Sequence, residues 1–398
     1  MKKNLILAGV LFFAVLPIHS QSRSFYLQWA TNVAKSDMKR NPEGWMIDFN
    51  KTPKWDYCQG LVCTALLKLN AQTKDKALYD YVLKFGDYMV DSVGNILSYN
   101  PVENSLDRIN GGKFLLSLYD KTLKNKYLLA AKKIREQLKT HPRTTEGGFW
   151  HKAIYPSQMW LDGIYMASPF LAEYGRRFNE PADYEDVAKQ ITLIAKHTID
   201  PATGLYYHAW DESKQQPWAD KTSGKSPNFW GRSMGWYMMA LVDVLDFIPA
   251  NHSQRPAIIK ILKDLSKSLL KYQDKQTGLW YQVTDKPGAE GNYLESSSTA
   301  MFMYAMTKGA NKGYLDQSYL TLSRKAFKLF IKNATRIDSD GTYNVTKACA
   351  VAGLGGNPYR DGSYSYYIHE PQRDNDPKVL GPFIMWCTQL AIASYSSN

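Results

Sequence analysis

Two aspartates stand where acid–base chemistry could be done. Asp162 lies in Met159-Trp160-Leu161-Asp162-Gly163-Ile164-Tyr165-Met166-Ala167-Ser168-Pro169-Phe170, two residues after a Trp and just ahead of an apolar, helix-forming run. Asp107 lies in Asn104-Ser105-Leu106-Asp107, ahead of a second such run. Paired carboxylates can divide their pKa values, one staying ionised while its neighbour in an apolar setting holds a proton. Trp160 and Tyr165 would desolvate Asp162, and the charge of Asp107 would raise it further, so Asp162 is expected to be the proton donor. The bland alternative is that each Asp merely caps its helix, a position Asp favours.

Trp230-Gly231-Arg232-Ser233-Met234-Gly235-Trp236 adds binding chemistry. Arg232 can grip a carboxylate bidentately, and the flanking Trp rings can stack on a sugar. Alternatively Arg232 pairs with a nearby acid and the Trp rings are packing. The stretch formally contains G-x-S-x-G, but no strand precedes it and no HGGG motif exists, so it is not a nucleophile elbow. His151 and His208 follow matching turns and are candidates for the same site, although a lone His is usually structural. No metal-ligand spacing is present, and no metal or cofactor is expected. Gly353-Leu354-Gly355-Gly356 lacks the Lys and helix of a phosphate loop and reads as a flexible loop.

The elements that must position these residues recur in a fixed order. Polar amphipathic helices are expected near 22–39, 76–91, 124–139, 181–199, 255–273 and 314–333. Each is followed by a Gly-aromatic turn, at Gly44-Trp45, Gly94-Asn95-Ile96, Gly147-Gly148-Phe149, Gly204-Leu205-Tyr206, Gly278-Leu279-Trp280 and Gly341-Thr342-Tyr343. Then comes an apolar helix rich in Ala, Leu, Met and Gly, starting near Asp56, Ile109, Asp162, Ser233, Glu295 and Gly381. Polar helix, turn, apolar helix, six times over, predicts an all-α (α/α)6 toroid with an inner ring of apolar helices. Every turn then leads into an inner-helix start. Asp107, His151, Trp160, Asp162, His208, Trp230, Arg232 and Trp236 therefore converge on one rim.

Lys2 and Lys3, the apolar run from Leu5 to Leu16, Pro17 and Ser20 read as a cleavable export leader over residues 1–20. Residues 21–398 are expected to form one catalytic domain, since no linker divides them. The net charge of +12 is spread along the chain. It fits an anionic ligand and, lacking a basic stripe, not nucleic acid. No mature membrane span is expected, and the protein is read as a monomer or weak homo-oligomer. Export would permit disulfides, but Cys58, Cys63, Cys349 and Cys387 show no pairing spacing and are expected to be mostly buried thiols.

The Trp160–Met166 stretch with Pro169-Phe170, the Trp230–Trp236 stretch, and Glu370-Pro371 through Asn375-Asp376-Pro377 to Gly381-Pro382-Phe383 resemble glycoside hydrolase family 105, the unsaturated rhamnogalacturonyl hydrolases. The related family 88 glucuronyl hydrolases are similar in fold and mechanism. The resemblance implies a substrate left by a polysaccharide lyase, an anionic oligosaccharide ending in a 4,5-unsaturated uronic acid. Its double bond would be hydrated, with a proton to C4 and water to C5, and the resulting hemiketal would rearrange to release the aglycone. It implies Asp162 as general acid/base and Asp107 as the second acid, with His151, His208, Trp230 and Arg232 lining the sugar subsite. Ser233-Met234 and Lys378-Val379-Leu380 depart from the usual pattern. Other readings are a glucuronyl hydrolase acting on glycosaminoglycan or arabinogalactan fragments, an inverting glycosidase using Asp162 and Asp107, a sugar isomerase using the two His, and a non-catalytic sugar binder.

Overall fold

The computed structural model describes residues 18–394, and side chains from residue 23. The expected leader falls outside the described residues apart from its last three positions.

Helices alternate between an outer and an inner ring. The outer–inner pairs are α1 (Ile18–Arg40) with α2 (Tyr57–Thr73), α3 (Lys76–Met89) with α4 (Gly112–Thr122), and α5 (Asn125–Lys139) with α6 (Leu161–Phe178). They continue with α7 (Ala182–Thr198) and α8 (Gly231–Val244), then α9 (Arg255–Leu269) and α10 (Ser296–Asn311). The sixth pair is α11 (Ser318–Ala334) with α13 (Pro377–Ala393), and a short α12 (Tyr364–His369) intervenes. Each inner helix packs on the next, α2 on α4, α6, α8, α10 and α13 in turn, and α13 packs back on α2. The ring closes, so no inner face is left without a partner. This is the all-α (α/α)6 toroid.

Burial follows the composition of each helix. All fourteen residues of α8 are buried. In α9 the buried positions are Ile258, Leu262, Leu265, Ser266, Ser268 and Leu269, one stripe of an amphipathic helix. The apolar core runs without interruption through all twelve long helices. Inner helices come close where side chains are absent: a Cβ on Gly60 would stand 2.8 Å from the backbone nitrogen of Gly111. The four cysteines are buried thiols. Among the described residues no helix is long and apolar enough to cross a membrane.

The turns are hairpins. Gly204 and Gly278 take positive φ (+73° and +74°), which only glycine adopts without strain. Each donates to the carbonyl of an Asp four residues back, Asp200 and Asp274, whose side chain also accepts from the Thr before the Gly. Short antiparallel pairs surround the mouth of the ring. These are β1 (Gln158–Trp160) with β2 (Ala209–Asp211), β3 (Trp280–Tyr281) with β4 (Leu294–Glu295), β5 (Thr335–Ile337) with β6 (Tyr343–Val345), and β7 (Ala348–Cys349) with β8 (Gln372–Arg373). Gly44 departs from the expected turn. It begins a 3₁₀ turn, Gly44–Met46, and is packed so closely on Phe85 that a Cβ there would collide with it. The last inner helix also starts earlier than expected, at Pro377, because the Asp376 side chain accepts from Lys378 N and caps it.

Candidate active site

The hairpins bind each inner-helix start to the turn after it. Leu106 N donates to the carbonyl of His151, and Leu161 N donates to the carbonyl of His208. Each contact places an Asp, 107 or 162, next to a His. Gly231 N donates to the carbonyl of Gln282 in the same way, setting Arg232 on the same rim. The register of the repeat thus assembles the site.

Asp107, His151, Trp160, Asp162, Trp230, Arg232 and Trp236 line one cavity of about 310 Å³. His208, fully buried, stands behind Asp162 and is not in the lining. Asp162 does not cap its helix. The N-cap position belongs to Trp160, and the carboxylate sits in the first turn of α6, where the helix N-terminus favours a negative charge.

His151 bridges the two acids: its Nε2 is 3.8 Å from an oxygen of Asp107 and 3.8 Å from an oxygen of Asp162. His208 Nε2 is 3.4 Å from the other oxygen of Asp162. His208 Nδ1 meets the hydroxyl of Tyr367 at 2.8 Å. The imidazole of His151 lies flat on Trp160, with centroids 4.4 Å apart and planes 9° apart, and Tyr155 stacks on Trp160 in turn. Trp160 donates from Nε1 to Gln158, and Trp230 donates from Nε1 to Gln282. Their rings are thereby fixed.

The electrostatics reverse the expectation for Asp162. Burial pushes its pKa up, but the imidazoles of His151 and His208 outweigh burial and hold it down at about 2. Tyr165, expected to desolvate Asp162, instead stacks on Trp236 and lies under the amine of Lys113. In the ligand-free protein Asp162 is therefore an anion. Asp107 is too: burial is outweighed by Lys152, whose ammonium is 2.6 Å away, and by His151, so its pKa lies below the usual range. Burial lowers the pKa of His151 despite both carboxylates.

Arg232 is only 1% exposed. Its Nε donates to Ser297 Oγ at 2.7 Å, its Nη2 to Glu295 at 3.3 Å and to the Cys349 carbonyl, and its Nη1 to the Ala350 carbonyl. Glu295 is itself buried and caps α10 through the N–H groups of Ser297 and Ser298. The guanidinium thus reaches the cavity with most of its donors engaged. Trp230 and Trp236 line the cavity but are only 3% and 2% exposed.

Four residues of the cavity and its surroundings escaped the sequence reading. Lys152 follows His151 directly, and its adjacency was the available signal. Tyr367 in α12, Glu295 in β4 and Arg360 arrive from distant parts of the chain and carried no local signal. Among the described residues no group of His, Cys, Asp or Glu could hold a metal ion.

The fold is a helical toroid, and paired acids, imidazoles and fixed aromatic rings meet in one of its cavities. The chain belongs to Glycosyl Hydrolase Family 88, which matches residues 29–392, and it is a glycoside hydrolase of the family 88/105 group. It is 42% identical to the solved Clostridium acetobutylicum ATCC 824 glycoside hydrolase from family 105, with a TM-score of 0.87, covering 91% of this chain and 99% of that one. It is 38% identical to Protein Atu3128 of Agrobacterium fabrum over 229 residues, 55% of this chain and 96% of that protein. It is 32% identical to the unsaturated rhamnogalacturonyl hydrolase YesR of Bacillus subtilis over 202 residues, 49% of this chain and 56% of that protein.

Proposed function

We propose that the enzyme removes the terminal 4,5-unsaturated uronic acid from lyase-generated oligosaccharides, of the rhamnogalacturonan or pectin type, by hydrating the C4=C5 double bond. The observation that carries this reading is the imidazole of His151 set between Asp107 and Asp162, in a cavity lined by six cationic side chains and four carboxylates. Such a lining suits an anionic sugar. The similarity to the Bacillus subtilis enzyme supports the substrate class.

Asp162 is the group that meets the substrate. As a uronate enters, its negative charge and the loss of water raise the pKa of Asp162. His208 Nε2, 3.4 Å from the carboxylate, is placed to relay a proton to it. Asp162 then delivers it to C4. Water adds at C5 and returns a proton to Asp162. Asp107, kept ionised by Lys152, opposes the positive charge that develops on the ring. The hemiketal at C5 then opens and the aglycone leaves. Arg232 holds the ring's carboxylate side through its charge and its remaining Nη1 hydrogen.

The test is direct. Incubation with lyase-generated rhamnogalacturonan oligosaccharides should abolish the ultraviolet absorbance of the conjugated double bond. Release of sugar with that absorbance intact, or equal turnover of a saturated uronide, would assign an ordinary inverting glycosidase instead. We infer also that residues 1–20 direct export, which mass measurement of the mature protein from its native host would check.

A further inference from the structure

The six cations lining the cavity are not equivalent. Lys54 pairs with Asp56, Lys152 with Asp107, Arg232 with Glu295, and Arg373 and Lys378 with Asp48 and Asp376. Among the described residues Arg360 has no carboxylate within ion-pair distance, although its field reaches Glu370. Its Nε donates to the Gly355 carbonyl at 2.9 Å, and its Nη2 donates to the Leu354 carbonyl and to the hydroxyl of Tyr155. Nη1 makes no hydrogen bond among the described residues. Neutral acceptors hold the guanidinium in place and leave its charge unmatched.

The loop is shaped for this group. A Cβ on Gly353 would collide with Nη1, and one on Gly356 would stand 3.2 Å from Nη2. The Gly353-Leu354-Gly355-Gly356 stretch, expected to be a flexible loop, is instead anchored by a fully buried Leu354 and by the Gly355–Arg360 bridge. Its glycines make room for a guanidinium.

Arg360 also lies at the mouth. Residues 356–359 beside it are exposed, as is Val351 in the cavity wall, whereas Asp107 and Arg232 at the floor are 8% and 1% exposed. A ring that reaches the two acids occupies the floor, and the next sugars pass under Arg360.

We infer that Arg360 recognises an anionic group on the aglycone, so that the preferred substrate carries a second negative charge beyond the terminal unsaturated ring. The inference rests on the uronyl hydrolase reading for its orientation of the substrate. A carboxylate of a further uronic acid and a sulfate ester share this chemistry, and a planar fork binds either one.

The experiment compares three unsaturated oligosaccharides whose aglycones are neutral, carboxylated or sulfated, with wild-type protein, Arg360→Gln and Gly353→Ala. The expected result is a fall of about tenfold or more in the ratio of kcat/KM for the better charged substrate over the neutral one, in both variants. The preferred charged arm identifies the source. Arg360→Lys should restore part of the ratio. An unchanged ratio, whether both rates fall together or neither falls, would overturn the inference and leave Arg360 a loop anchor. The same ligands titrated calorimetrically into Asp162→Asn protein separate the two claims. If wild-type protein turns over none of the ligands but charge-dependent binding is lost in Asp162→Asn/Arg360→Gln protein, the hydrolase reading fails alone. If that binding is insensitive to Arg360, the inference fails.

Discussion

His208 Nε2 and Asp162 Oδ1 face each other at 3.4 Å, both buried, with no other hydrogen-bond partner for either atom. With His151, the larger influence, the contact keeps the acid of this site an anion before substrate arrives. It also places the imidazole to relay the proton that Asp162 must deliver.

Asp162→Asn keeps the shape of the side chain and removes proton transfer. General acid/base groups commonly contribute about 10²–10⁴-fold, so kcat should fall by that amount while the melting temperature and ligand binding stay close to wild type. Activity within a few-fold of wild type would remove Asp162 from the mechanism.

His208→Gln removes one of the two imidazoles that hold the Asp162 carboxyl down, so the pKa of Asp162 should rise. A general acid with a raised pKa keeps its proton to higher pH, so the basic limb of the kcat/KM profile should move to higher pH. An unchanged profile would show that His208 does not set the charge of Asp162.

Lys152→Met should move the acid limb to higher pH. Lys152 is the largest group holding Asp107 below the usual carboxylate range. An ionised Asp107 loses its function as pH falls through its pKa, and raising that pKa shifts the limb to higher pH. The pH–rate profile on an unsaturated disaccharide measures the shift.

Tyr367→Phe deletes the hydroxyl 2.8 Å from His208 Nδ1 and leaves that nitrogen buried and unsatisfied. A loss of about tenfold in kcat is expected, with KM little changed, because the tyrosine orients the imidazole without touching substrate. A change in KM alone would contradict this role.

Arg232→Ala should destabilise the fold as well as weaken binding. Removing the guanidinium leaves Glu295 buried without its cation, which typically costs about 3–5 kcal/mol. Chemical denaturation would show it. Arg232→Lys keeps the charge but not the fork, and should be the milder variant in stability and the informative one in kinetics.

The architecture was legible in the sequence because its signals are local. Helical periodicity, a Gly that must take positive φ, and a run of apolar residues each act within a few positions of the chain. Counting them six times was enough to place the inner-helix starts and hence the rim that carries Asp107, Asp162, His151 and His208. Where a local signal met a competing one, the reading slipped: Gly44 is buried against Phe85, and α13 starts at Pro377, capped by Asp376, rather than at Gly381.

Only the tertiary structure decided the charges. Whether Asp162 holds a proton depends on two imidazoles brought to it by hairpin register, not on the Trp beside it in sequence. Tyr367 reaches His208 across 159 residues, Glu295 reaches Arg232 across 63, and Tyr155 meets Arg360 across 205. Electrostatic energies vary steeply with distance and burial. Which cation is matched and which is left free is therefore fixed when the ring closes, and no stretch of the chain contains that information by itself.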